Sequence, residues 1–337
     1  MRAVELKDGF GIDSLTLVQR AVPEPGPGEI GLKMLAASLN YRDLLMVRGQ
    51  YNPRQPLPLI PCSDGVGRVI SVGEGVDPGW LNRRVCPIFA QTWLSGSFQG
   101  EALKSTLGGP LDGTLCEVMT VPVESVVEIP DDLDDTQAAC LPCAGVTAFR
   151  ALGELGAVKA GERVLLQGTG GVSLAALGIA KALGATVAIT SSRDERLERA
   201  KSLGADAGFN YVRDPKWART ARAWTGGEGF HHVVEVGGAE TLESSLRAVA
   251  PGGSVYVIGV LSGVQASLTL TRLLMHQVRM QGVFVGSKST FLGLLELMKN
   301  HPCRPVVDEV FSLADIRAAF EHLAAGRHFG KVVIRLT

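Results

Sequence analysis

The run from Glu162 to Ala185, ERVLLQ-GTGGVS-LAALGIAKALGA, constrains the fold more than any other stretch of the chain. A short apolar strand, a glycine loop, an Ala/Leu helix stopped at Gly184 and a second strand (TVAIT) follow one another without interruption. That order is what a phosphate-binding turn between a strand and a helix requires. Gly168 permits the sharp turn, and Gly170 leaves no Cβ in the way of an approaching pyrophosphate. The helix starting near Val172 would aim its unpaired N–H groups and positive dipole end at the phosphates. The expected cradle is therefore Gly168, Thr169, Gly170, Gly171 and Val172. Ser173 stands where G-x-G-x-x-G has its third glycine, and serine is small enough for close packing of helix on strand. The alternative reading is a glycine-rich turn that holds no ligand.

The end of the second strand bears on which dinucleotide is bound. A turn selecting NAD usually carries an Asp or Glu there to accept from the ribose 2′-hydroxyl. This chain has Ser191, Ser192 and Arg193 instead. Two hydroxyls and a guanidinium suit a 2′-phosphate, which favours NADP (as NADPH) over NAD. A competing role for the same residues is an S-x-x-E capping box made by Ser192 and Glu195.

Around this motif, strands and helices alternate from about Asp134 to Ser262, the pattern of a parallel sheet covered on both faces. The first third is rich in short strands, GEIGLKMLAASLN and GVGRVISVGEGV among them, and β character is expected to return after Ser262 with one late helix over Leu313–Gly326. The expected fold is α/β: a doubly wound Rossmann domain (124–265) inserted into a discontinuous barrel-like domain (1–123 and 266–337). PEPGPGE reads as a turn between strands, and DDLDD (131–135) as a solvated turn ahead of a helix.

The charge balance, 33 basic against 34 acidic residues, offers no footprint for nucleic acid or an anionic membrane. The N-terminus lacks an apolar signal segment and no stretch reads as a membrane span, so a cytoplasmic enzyme is expected. The 41 glycines show no collagen period. Six scattered cysteines do not make a disulfide framework. Cys140-x-x-Cys143, in a helical Ala/Leu context, reads as packed thiols. His231 and His232 lie on a strand pattern and straddle it.

With AASLNYRDLLMVRGQY, PLIPCSDGVGRVISVGEGV, LPCAGVTAFRAL, QGTGGVSLAALGIAKALGA and the final GKVVI, the chain resembles the medium-chain dehydrogenase/reductase superfamily, in its zinc-independent quinone oxidoreductase-like branch. The resemblance covers nearly the whole chain and implies a GroES-like barrel domain beside a Rossmann domain. The superfamily's zinc alcohol dehydrogenases place their catalytic zinc on a Cys in the LNYRD segment, a His and Glu in the PCSDG segment, and a later Cys. Here these positions are Asn40, Ser63, Asp64 and Cys143, and the region matching the structural zinc lobe, Phe89 to Leu115, has no cysteine. No metal is therefore expected, because a zinc site needs three or four N, S or O ligands.

Without a Lewis acid, the implied reaction is hydride transfer from NADPH to a quinone or an α,β-unsaturated carbonyl, whose delocalised negative charge hydrogen-bond donors can stabilise. The resemblance implies Tyr51 as first candidate for proton donor or substrate-orienting group, followed by Asn40, Tyr41 and Arg42. It implies further cofactor contacts at Thr147, Tyr211, Gly259, Val260, Leu261, Phe284, Val285, Gly286, Ser287 and Lys331. It also implies a homodimer formed near an edge strand at Val283–Gly286. Packing roles for Tyr41, Tyr51 and Arg42, the last pairing with Asp43 or Asp64, are the alternatives. An NAD(P)-dependent alcohol dehydrogenase and a crystallin-like nucleotide-binding protein with little catalysis are the competing functions.

Overall fold

The first strands of the chain form where β-branched and apolar residues recur between turns. In the computed structural model, which describes residues 1–301 and 303–336, they are β1 (Arg2–Leu6), β2 (Leu15–Gln19), β3 (Glu29–Leu39), β4 (Asp64–Val72), β5 (Arg84–Pro87), β6 (Val118–Pro122) and β7 (Val126–Glu128). Pro122 ends β6, and Pro130 lies just beyond β7, as a residue without an N–H requires. Between β3 and β4 the helix α1 (Tyr41–Val47) begins at Asn40, whose backbone N–H donates to the Asp43 carboxylate at 2.8 Å. The PEPGPGE segment is a turn closed on the end of β4. Gly28 donates to the Glu74 carbonyl, and a Cβ on Gly73 would stand 1.8 Å from the Gly26 oxygen.

The acidic DDLDD run ends in a cap. Asp134 accepts from the Gln137 N–H at the start of the one-turn helix α2 (Asp135–Ala138), and Asp135 pairs with Arg84 at 2.9 Å. Wider, π-type turns at Leu141–Gly145 and Arg150–Leu155 flank the short α3 (Val146–Phe149). Pro142, which has no N–H to give, sits in the first of them.

The alternating region follows: β8 (Arg163–Leu166), α4 (Gly171–Ala182), β9 (Thr186–Ser191), α5 (Asp194–Ser202), β10 (Ala207–Asn210), α6 (Trp217–Trp224), β11 (Phe230–Glu235), α7 (Leu242–Ala248) and β12 (Val249–Val257). Then come α8 (Leu270–Met275) and β13 (Arg279–Gly282). The strands pair in the order β10-β9-β8-β11-β12-β13, all parallel. This is a doubly wound sheet whose strand order reverses between β8 and β11, so its ligand crevice lies beyond the C-terminal ends of those two strands. The central strands carry buried apolar runs, Val164–Leu166 in β8 and Val187–Ile189 in β9, as strands covered by helices on both faces do. One core joins Leu165, Ala188, Val233 and Val255 of the sheet to Trp217, Ala221 and Leu246 of its helices.

The return of the chain is less β-rich than the sequence suggested. Besides α8, a thirteen-residue helix α9 (Lys288–Asn300) precedes β14 (Val307–Ser312), α10 (Ile316–Ala324) and β15 (Lys331–Arg335). Its KSTFLGLLELMKN sequence interleaves a glycine and β-branched Thr290 with leucines, which hid the helical period. β14 and β15 complete a seven-stranded sheet in the order β14-β15-β3-β4-β5-β7, with β6 also paired to β3. Its core gathers Ile30, Leu32, Val69, Val85, Phe320 and Ile334.

By contacts the chain divides into two compact units: 1–146, 286–293 and 305–337 in one, 147–285 and 294–304 in the other. Among the described residues no helix is long and apolar enough to cross a membrane.

One buried acid holds the crevice end of β11. Glu235, fully buried, accepts from the N–H groups of Gly237 and Gly238 at 2.7 and 3.1 Å, from Thr241 Oγ1 at 2.6 Å, and from Ser245 Oγ. Glu235→Ala would strand all four donors in the interior. The expected cost is about 3 kcal/mol of unfolding free energy by urea titration; a loss below about 1 kcal/mol would show that the loop is held by other contacts.

Candidate active site

The glycine loop has the geometry its sequence requires. Gly168 adopts φ +70°, the left-handed conformation that glycine alone takes at little cost. A Cβ on Gly168 or Gly170 would meet nothing within 4 Å, so both face open space. Gly170 is the N-cap of α4, and α4 begins at Gly171. Ser173 does more than fit: its hydroxyl, fully buried, donates to the Gln167 carbonyl at 2.6 Å and ties the helix to the end of β8. Thr169 is buried; Val172 is half-buried.

Polar residues that end otherwise apolar strands brace this loop. Thr190 Oγ1 accepts from the Gly168 N–H at 3.0 Å and donates to Gln167 Oε1 at 2.9 Å. Gln167 Nε2 donates to Ser245 Oγ at 3.0 Å, and Ser245 donates to Glu235. A continuous chain of hydrogen bonds therefore joins β9, β8 and β11 across the point where strand order reverses. Gln167, Thr190 and Glu235 were not singled out from the sequence. Their signal was there: each is a polar residue at or just after the C-terminal end of a buried parallel strand.

At the end of β9 the backbone stays extended through Arg193 (φ −131°, ψ 132°), which is the N-cap of α5. The capping box expected from Ser192 and Glu195 therefore does not form, since the helix starts one residue too late for that spacing. Ser191 Oγ accepts from the Arg193 N–H at 3.3 Å, Ser192 is half-buried, and the exposed Arg193 guanidinium lies 3.3 Å from Glu195. Tyr211 is 42% exposed beside them, its N–H donating to the Ser191 carbonyl. A second guanidinium, Arg213, pairs with Asp194, which also accepts from Asn210 Nδ2 at 2.9 Å. Hydroxyls and cations at one strand end, with the glycine loop beyond the adjacent strand, form a donor set that suits a dinucleotide phosphate.

Asn40, Ser63, Asp64, Cys143 and Lys331 are far apart in sequence but meet in the unit that holds the seven-stranded sheet. The β15–β3 pairing sets Val332 against Leu39, and the β3–β4 pairing sets Ser38 against Asp64. The Lys331 ammonium, on a residue only 5% exposed, donates to the Leu39 carbonyl at 2.7 Å and to Asn40 Oδ1. Asn40 Nδ2 donates to Ser63 Oγ at 3.4 Å, and Ser63 donates to Asp64 Oδ1 at 2.9 Å. The Cys143 N–H donates to Asp64 Oδ2 at 3.1 Å. Burial raises the Asp64 carboxyl above its ordinary pKa, against the pull of the nearby Lys331 charge. Asp43, also fully buried, is raised to about 6 by burial, opposed by Arg42.

These residues do not suit a tetrahedral zinc. The amide oxygen at Asn40 is already committed to an ammonium, and the Ser63 hydroxyl, which donates to Asp64, is a poor ligand. A second cation would meet the repulsion of Lys331 at short range. Among the described residues, the group of potential ligands that does converge is Asp308, Glu309 and His322, at a different place.

The aromatic candidates are at the surface. Tyr41, the first residue of α1, is 36% exposed and Tyr51 43%. Arg42 is turned inward: it donates to the Leu107 and Gly109 carbonyls and to Thr106 Oγ1, and stacks between the rings of Tyr51 (5.0 Å) and Phe89 (4.8 Å). It lies 3.8 Å from Asp43 and has the bracing role noted as its alternative. Thr147 is buried, and Gly259 packs with room for no Cβ, 2.2 Å from the Val236 oxygen. Val260 and Leu261 are exposed, Phe284 is half-buried, and Val285 takes φ +43°. A Cβ on the buried Gly286 would crowd Thr290, and Ser287 bonds within its own turn to Ser289 and Thr290. Lys331, expected as a cofactor contact, gives two of its three N–H donors to Leu39 and Asn40. The thiols are packed: Cys140 donates to the Thr136 carbonyl at 3.1 Å, and its pKa is pushed up to about 11. His231 and His232 do straddle β11, one bonded to the Arg163 N–H and the other to Glu162 and Tyr256.

Two family models match the chain: an alcohol dehydrogenase GroES-like domain over residues 26–131 and a zinc-binding dehydrogenase over 171–300. A zinc-type alcohol dehydrogenase-like protein of Schizosaccharomyces pombe is 39% identical over 333 residues, covering 97% of this chain and 96% of its own. An acryloyl-coenzyme A reductase of Metallosphaera sedula is 32% identical over 323 residues, 93% of each chain. Among solved structures, an NAD-dependent alcohol dehydrogenase superposes with a TM-score of 0.91 at 33% identity over the whole of both chains. A mycobacterial protein complexed with NADPH superposes at 0.83 with 28% identity, again over both whole chains.

The buried Asp43 gives the site a pH signature. Its folded pKa near 6 lies above that of an unfolded aspartate, so the native state binds the proton more tightly between about pH 4 and pH 6. Stability from this group is present below that window and is lost as pH rises through about 6. Asp43→Asn keeps an acceptor for Asn40 and removes the titration. The difference in urea midpoint, variant minus wild type, should therefore rise between pH 4.5 and pH 7.5; a constant difference would contradict the raised pKa.

Proposed function

The chain belongs to the medium-chain dehydrogenase/reductase superfamily and is an NAD(P)H-dependent oxidoreductase; we propose that it uses NADPH, without zinc, to reduce a quinone or an α,β-unsaturated carbonyl compound. The observation that carries this reading is the polar cluster of Asn40, Ser63, Asp64 and Lys331, which offers N–H donors and a fixed ammonium where a hydrolase or an alcohol dehydrogenase would need a nucleophile or a metal. The relative named acryloyl-coenzyme A reductase supports it, since an acryloyl group is an α,β-unsaturated acyl group.

Bound NADPH supplies hydride. The loop at Gly168–Val172 holds the pyrophosphate, with the N-terminus of α4 behind it, and the hydroxyls of Ser191 and Ser192 with Arg193 hold the 2′-phosphate. When hydride reaches a quinone carbon or the β-carbon of an enone, charge develops on the acceptor oxygen. Donors that are in place beforehand stabilise that charge most efficiently. Asn40 Nδ2 is such a donor, and the exposed hydroxyl of Tyr51, with Arg42 stacked on its ring, protonates or orients the acceptor. A simple ketone concentrates the charge on one oxygen and gains less from neutral donors, which disfavours alcohol–ketone exchange. The protein acts in the cytoplasm as a homodimer, β13 being one of the two edge strands of its sheet.

Purified protein should oxidise NADPH with 9,10-phenanthrenequinone or a simple enone and fail to oxidise ethanol with NAD; turnover with ethanol alone would overturn the reading. Tyr51→Phe should lose most turnover and keep its NADPH affinity, and unchanged turnover would remove Tyr51 from the mechanism. Arg193→Ala should weaken NADPH about tenfold and leave NADH within twofold, a difference of about 1.4 kcal/mol that isolates the phosphate. Equal effects on the two cofactors would assign Arg193 to packing.

A further inference from the structure

A buried lysine is costly unless something demands it, and this fold places one beside an amide that can point either way. The two ends of the Asn40 side chain are close in size, and only their partners decide which is oxygen and which is nitrogen. Lys331 decides it. An ammonium carries only donors, so the end of Asn40 facing it must be the carbonyl oxygen. The Nδ2 group is thereby committed to the opposite side, toward Ser63 Oγ at 3.4 Å. Ser63 in turn gives its own proton to Asp64, so its oxygen is left as an acceptor for Asn40.

The ammonium itself is immobile. It is tied to the Leu39 carbonyl at 2.7 Å, and β15 fixes its backbone, with the Lys331 N–H donating to the Val306 carbonyl. Gly330, just before it, takes φ +98° and would bring a Cβ to 2.2 Å from the Val306 oxygen, so the approach of the lysine backbone is set by a residue that only glycine can supply. The neighbouring carboxylates are held from the other side: Asp64 by Ser63 and the Cys143 N–H, Asp43 by the Asn40 N–H.

We infer that Lys331 is the positioning residue of the reductase centre: its buried ammonium stands in for a metal ion as the fixed cation and holds the Asn40 amide so that one N–H is bound to Ser63 and the other is left for the acceptor oxygen. Lys331 touches neither acceptor nor cofactor in this account and acts through Asn40. The inference rests on the reductase reading for its kinetic consequence, while the orientation of Asn40 stands independently of that reading.

The test uses Lys331→Met, Lys331→Arg and Asn40→Asp in the full-length protein, with turnover of an enone and NADPH binding by fluorescence titration. Lys331→Met removes the charge at similar length; kcat should fall at least thirtyfold while the Kd for NADPH stays within twofold. Lys331→Arg keeps a cation whose fork reaches both oxygens, and kcat should return to within about fivefold of wild type. Asn40→Asp keeps Lys331 paired but has no N–H to offer, so its kcat should fall as far as that of Lys331→Met. This holds even if the Met variant folds poorly. A readout independent of turnover is the side-chain amide of Asn40 in a 1H–15N spectrum. It should exchange slowly with solvent in wild type and Lys331→Arg, and rapidly in Lys331→Met. Wild type inactive on every acceptor, with the amide still protected, would sink the reductase reading and leave the positioning intact. A Lys331→Met variant that keeps kcat within threefold, or that loses NADPH affinity tenfold at unchanged kcat, would overturn the inference and make Lys331 a packing residue or a cofactor contact.

Discussion

Two fully buried carboxylates, Asp43 and Asp64, impose the strongest constraint on this structure, because neither can stay charged in the interior without fixed donors and a nearby cation. The surrounding chain meets that demand for Asp64 and only in part for Asp43, whose Oδ1 has no hydrogen-bond partner among the described residues. The β3–β4 and β15–β3 pairings bring the acids, Asn40 and Lys331 together from three separate stretches of sequence. Arg42 sits beside Asp43, donates from its two terminal nitrogens to the loop at Thr106–Gly109 and stacks on the ring of Tyr51. Chemistry and architecture are coupled here, since a change at any one of these groups leaves another buried without its partner.

The nucleotide-binding unit solves a similar problem with neutral groups and one acid. At or just beyond the C-terminal ends of its central parallel strands, Gln167, Thr190 and Glu235 link the loops at the crevice into one hydrogen-bonded chain. A rigid brace behind Gly168 lets the glycine loop be open to a ligand without being loose. Preorganisation of this kind reduces the ordering cost of binding.

Much of this was legible in the sequence, for identifiable reasons. The strand–glycine–helix run and the DDLDD turn ahead of a helix are local features, governed by period and by single-residue backbone preference. Ser173 in place of a glycine was read as tolerated; the structure adds that its hydroxyl bonds the strand end. The helix α9 was missed because glycine and Thr290 blur its period, and the box at Ser192 failed because the backbone remains extended to Arg193. The partnership of Lys331 with Asn40 could not be read at all. It spans 291 positions and is created by strand pairing, to which no local pattern points.

In the proposed mechanism a protein cation and its neighbouring amide do the work a metal does elsewhere. The resemblance of this chain to proteins described as zinc-type dehydrogenases makes that claim sharp. It is tested most directly by the rate of NADPH oxidation with an enone before and after exhaustive chelation, with zinc then restored. The account gives one rate throughout. A rate that collapses on chelation and returns with zinc would contradict it.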